Sequence, residues 1–73
     1  MTNSIKALRA AKGVTQQDVA DAVRVRVQTI YAIENNKYGP SLLLGLQIAH
    51  YFGVHVDELF FLDEDEKKLR LDW

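Results

Sequence analysis

A glutamine side chain carries a donor and an acceptor side by side, the complement of the two groups an adenine edge presents. Gln28 occupies such a position, near the start of the short helical stretch Val27-Gln28-Thr29-Ile30-Tyr31-Ala32-Ile33-Glu34. Val27, Tyr31 and Ala32 share its outward side, where apolar groups suit a thymine methyl, and Ile30 and Ile33 turn inward to hold the stretch rigid. A second glutamine, Gln16, opens the preceding stretch, where free amides and the positive end of a helix dipole favour a phosphate oxygen. Arg24 and Arg26 fall between the two stretches, and Asn36, Lys37 and Tyr38 follow the second. These side chains suit clamps on a phosphate backbone rather than readers of bases.

Such chemistry needs two short helices held at a steep angle, and the sequence supplies their signals. Thr15 caps the first, and Asp18, three residues on, answers as an Asp version of the capping box. Val19, Ala20 and Val23 make its inner face. Arg24-Val25-Arg26 interrupts, and the stretch from Val27 resumes with Val25, Ile30 and Ile33 inward, which predicts a helix-turn-helix over Thr15 to Lys37. Asn3 or Ser4 caps an earlier helix that runs to about Ala11, with Ile5 and Leu8 inward and Gly13 as its left-handed stop. After the breakers Asn35 to Pro40, Ser41 caps a fourth helix from Leu42 to Phe52, stopped by Gly53, with Leu42, Gly45, Leu46, Ala49 and Phe52 expected on one side. A short fifth helix is expected from about Val56 to Phe60. The fold class is therefore all-α, a compact five-helix domain over residues 1–62.

Residues 63–73 form an acidic and then strand-like tail. Asp63-Glu64-Asp65-Glu66 reads as a solvated loop, and Lys68 to Trp73 alternates polar and apolar at the period of a strand. A lone strand needs a partner, and the same strand of a second subunit would bury Leu69, Leu71 and Trp73; a frayed terminus is the alternative.

Composition narrows the class further. Seventy-three residues without a cysteine make one small domain that needs an efficient core. No apolar run approaches the roughly 20 residues of a membrane span, and no secretory signal opens the chain, so a soluble, cytoplasmic protein without membrane contact is expected. Residues 1–56 hold six basic and three acidic side chains, a balance of +3, and residues 57–73 hold three basic and seven acidic, a balance of −4. An acidic tail remote from the basic surface does not exclude a polyanionic partner, because screening confines its effect to about 8 to 10 Å. His50 and His55 have no metal-ligand spacing, and there is no nucleophile motif or phosphate loop; no enzyme, metal, cofactor or small-molecule effector is expected.

The phrases Leu8-Arg9, Gly13-Val14-Thr15-Gln16, Thr29-Ile30, Ile33-Glu34-Asn35, Pro40-Ser41-Leu42, Phe52-Gly53-Val54 and Asp57-Glu58-Leu59-Phe60 closely resemble the short helix-turn-helix transcriptional regulators of the phage Cro and repressor (XRE) type, over about residues 4–60. The resemblance implies a lambda-repressor-like fold and double-stranded DNA bound by a homodimer. It also implies a recognition helix, about residues 27–34, in the major groove and Gln16 on a phosphate. Leu43 and Tyr51 stand where relatives tend to be polar or variable, which marks them for the dimer interface. Three departures stand out: Arg24 replaces the usual turn glycine, Arg26 replaces the usual serine or threonine cap, and Val27 replaces a polar residue. A weakened turn beside an acidic tail leaves a second expectation, an antitoxin-type or other protein-interaction module on the same fold.

Overall fold

The computed structural model describes residues 1–68; of the strand expected from Lys68 to Trp73, all but Lys68 lies outside them, Leu69, Leu71 and Trp73 included. In chain order the elements are β1 (Thr2–Asn3), α1 (Ile5–Lys12), α2 (Gln16–Val23), α3 (Val27–Glu34), α4 (Leu42–Phe52), α5 (Val56–Leu59) and β2 (Phe60–Phe61). Each helix contributes to one core, whose largest fully buried side chains are Ile5, Val19, Ile30, Ile33, Ile48 and Leu59. Burying an aliphatic side chain of this size contributes about 1.5 to 3 kcal/mol, which is how so short a chain without disulfides offsets its ordering entropy.

Local signals set most of the helix ends. Thr15 Oγ1 accepts from the Asp18 amide at 3.0 Å and Asp18 Oδ2 accepts from the Thr15 amide at 2.9 Å, completing the expected capping box. Ser41 Oγ accepts from the Leu44 amide at 3.1 Å, and Gly13 and Gly53 close their helices with φ of 72° and 69°. Arg24 takes the left-handed conformation at φ 60°, where the missing Cβ of a glycine would remove a steric cost of about 1 kcal/mol. Arg26 stands at the start of α3 without a side-chain cap.

Two expectations change. On α4 the buried residues are Leu44, Gly45, Ile48 and Ala49, whereas Leu42 and Leu46 are 75% and 47% exposed. Apolar residues surround most of this helix, so spacing alone does not choose its inner side; Gly45, where an added Cβ would sit 3.4 Å from the Phe60 ring, is common to the expected and the observed face. α5 stops at Leu59 because Phe60 swings to an extended conformation and pairs with the chain start. The resulting antiparallel ribbon sets Thr2 opposite Phe61 and Asn3 opposite Phe60, and the Ser4 amide donates to the Leu59 carbonyl at 3.0 Å.

Candidate nucleic-acid interface

The first turn of α2 and the first turn of α3 meet at the surface, and Gln16, Val27, Gln28 and Tyr31 line one shallow cleft there. Gln28 is exposed and Tyr31 is 45% exposed, whereas Gln16, Val27 and Ala32 are half-buried. Behind them Ile30 and Ile33 sit in the core, so α3 has the one rigid and one free face that a reading helix requires. The Lys37 ammonium lies 5.4 Å from the centre of the Tyr31 ring, close enough for a cation–π contact that joins the loop after α3 to its outer face.

A second, polar cleft adjoins the first and is lined by Lys6, Gln16, Gln17 and Asn35 among others. Lys6 is a cation that the sequence reading passed over. Its spacing of three from Arg9 on one helix face was the available signal. Arg9 itself is committed: its guanidinium holds Glu34, whose side chain is only 7% exposed, through two nitrogens at 2.8 and 2.9 Å. This pairing holds the Glu34 carboxyl below the usual carboxylate range, against the opposing pull of burial and with smaller help from Gln16 and Lys6.

Asn3 performs a comparable service at the end of α3. Its Oδ1 accepts from the Ile5 amide at 3.1 Å, and its Nδ2 donates to the Ile33 carbonyl at 2.9 Å and to Asn36 Oδ1 at 3.0 Å. Asn3 rather than Ser4 therefore supplies the side-chain bond that starts α1, and Ser4 Oγ donates instead to the Glu58 carbonyl. Asn36, left-handed at φ 59°, spends its side-chain oxygen on Asn3. Lys37 and Tyr38 are exposed beside it, in a further cleft that also includes Glu66. The acidic segment is thus not remote from the basic surface, contrary to expectation.

The remaining expected site residues do not line these three clefts. Arg26 is exposed at the head of α3, while Arg24 lines a different cleft with Ala22, Val23, Leu46, Gln47, His50 and Tyr51. Leu43 is 67% exposed on α4. Tyr51 is half-buried, edge-on to Phe52 and under the Lys12 ammonium at 5.0 Å. Among the described residues no group of His, Asp or Glu side chains is arranged to hold a metal, and no helix is long and apolar enough to cross a membrane.

Two helices of eight residues joined by the short turn from Arg24 to Arg26, packed by a shared core and followed by two more helices, define a helix-turn-helix domain. The chain belongs to the helix-turn-helix family, whose pattern it matches over residues 5–59. It is 46% identical over 66 residues to an uncharacterized HTH-type transcriptional regulator of Methanocaldococcus jannaschii, covering 90% of this chain and all of that one. It is 42% identical over 65 residues to the uncharacterized HTH-type transcriptional regulator YgzD of Bacillus subtilis, covering 89% of this chain and 98% of YgzD. A Methanothermobacter thermautotrophicus protein of the same description is 42% identical over 69 residues, covering 93% of this chain and all of its own length.

Proposed function

We propose that this protein is a transcriptional regulator that binds double-stranded DNA sequence-specifically, with α3 in the major groove. The observation that carries this is the convergence of Gln16, Val27, Gln28 and Tyr31 on one open cleft at the heads of α2 and α3. Gln28 reads a base edge, with Val27, Tyr31 and Ala32 making apolar contacts beside it. Gln16, Arg26, Asn36, Lys37 and Tyr38 fix the backbone, and Lys6 joins them from α1. Arg24 contributes at most to the far edge of that footprint, because it faces α4.

The functional unit is a homodimer, since one recognition helix makes too few contacts for tight specific binding and two helices about 34 to 36 Å apart meet successive major grooves. The exposed Leu43 with the neighbouring Leu42 and Leu46 supports a protein contact on α4; Tyr51 lies further along the same helix, and Leu69, Leu71 and Trp73, outside the described residues, are the other residues proposed for the interface. The same leucines also support the alternative of a protein-interaction module in which DNA binding is weak.

Duplex titration across a salt series separates the two. Log affinity should fall linearly with log salt, with a slope of about −0.9 per neutralised phosphate. Absence of duplex binding at ~50 mM salt with micromolar protein would leave the protein-interaction module standing.

A further inference from the structure

Asp63 to Glu66 close on themselves: the Asp63 amide donates to Glu66 Oε1 and the Glu66 amide donates to Asp63 Oδ1, both at 2.9 Å. This acidic turn sits against the loop after α3, where Glu66 shares a cleft of about 320 Å³ with Asn36, Lys37 and Tyr38. Three cations oppose it. The Met1 ammonium lies 2.6 Å from Glu66 and 3.3 Å from Asp63, and Lys67 and Lys68 pair with Glu64 and Asp65 at 3.3 and 3.4 Å. The latter two pairs are largely exposed and neutralise little.

We propose that the acidic turn Asp63–Glu66 is a built-in competitor of DNA phosphate at the Asn36–Lys37–Tyr38 edge, and so restrains the affinity of the domain for the duplex. This rests on the DNA reading above. Glu66 lines the same cleft as Lys37, so a backbone phosphate bound in that cleft either displaces the turn or approaches its charge. At moderate salt that repulsion reaches about 8 to 10 Å, the scale on which a phosphate held by Lys37 would feel it. The turn therefore weakens the sequence-independent part of binding more than the base contacts.

The test uses the full chain and a fixed duplex at several salt concentrations. Glu66→Gln, whose amide still reaches the Asp63 amide, combined with Glu64→Gln and Asp65→Asn, should raise affinity about 3- to 10-fold at ~50 mM salt and by much less at ~0.5 M. Glu64→Gln with Asp65→Asn alone leaves the closed turn intact and should give a smaller gain in the same direction. With Lys37→Ala already present the gain should shrink, since the contested cation is gone. An unchanged affinity in the neutralised proteins, or a gain that persists in full without Lys37, overturns the competition while leaving DNA binding in place. Binding by neither the parent nor the neutralised chain overturns the DNA reading, and this inference with it.

Discussion

Arg9 and Glu34 are joined twice, Nε to Oε2 at 2.9 Å and Nη2 to Oε1 at 2.8 Å, so that α1 grips the last residue of α3. Arg9 also reaches the Val14 carbonyl at 3.4 Å, which ties the loop before α2 to the same anchor. α3 is thereby held from its far end while its first turn faces outward. Removing one partner leaves the other charge with little water. Arg9→Met or Glu34→Ala should each destabilise the fold by about 3 kcal/mol, the lower end for breaking a buried pair because Arg9 keeps partial exposure. Chemical denaturation of both single variants and the double variant checks this. The double should cost clearly less than the two singles together.

The same pair sets an acid limit. Glu34 has its pKa lowered in the folded state, chiefly by the Arg9 hydrogen bond, so it binds protons more readily when unfolded. Its contribution is full above the ordinary glutamate value and is lost as pH falls through the lower folded value. Stability measured from neutral pH down to pH 3 should decline more steeply for the parent than for Glu34→Gln. Parallel profiles would remove Glu34 from the acid transition.

At Arg24 the backbone stands at φ 60° and ψ 46°, and its amide donates to the Ala20 and Asp21 carbonyls as α2 ends. Arg24→Gly relieves the Cβ strain but also loosens the unfolded chain, so a net gain of up to about 1 kcal/mol is expected in a thermal melt. DNA affinity should change little, because Arg24 lines the α2–α4 cleft away from Gln28.

Roles across the interface predict different losses. Gln28→Ala should cost about 1 to 3 kcal/mol on a preferred site and relax the choice at one base pair, whereas Lys37→Ala and Lys6→Ala should weaken all duplexes alike and flatten the salt slope. Competition binding with preferred and random duplexes distinguishes these patterns. Equal losses on both duplexes for Gln28→Ala would falsify its assignment as a base reader.

What the sequence made legible was whatever is decided within a few residues. The Thr15–Asp18 box, the Ser41 cap and the left-handed Gly13 and Gly53 follow from residues acting on their own backbone, whereas the strain at Arg24 follows from the glycine that the resembling family carries in this turn. Gln16 and Gln28 were each legible as residues near the start of a helix, whereas their meeting in one cleft was not. Contacts between distant segments were not. Nothing local to Arg9 announces Glu34, and nothing local to Thr2 and Asn3 announces Phe60 and Phe61. The inner side of α4 differs from the expected one because leucines at 42, 43, 44 and 46 make several faces equally apolar, and the choice among them is made by packing against α2 and α5.

Dimerisation can be tested without DNA. If the tail pairs across a two-fold axis, deleting residues 67–73 should shift the protein toward monomer and lower DNA affinity while leaving the helical signal intact. Leu43→Asp should act in the same direction if α4 shares the interface. Sedimentation of the three proteins at matched concentrations decides it, and an unchanged mass after truncation removes the tail from the interface.

The proposal that α3 reads DNA sequence is tested most directly by selecting bound duplexes from a random pool with the full-length protein. Enrichment of a two-fold symmetric site is expected, with half-sites centred about one helical turn apart and one position in each half that loses its preference when the selection is repeated with Gln28→Ala. A pool that stays random, or an enriched site unchanged by Gln28→Ala, would contradict it.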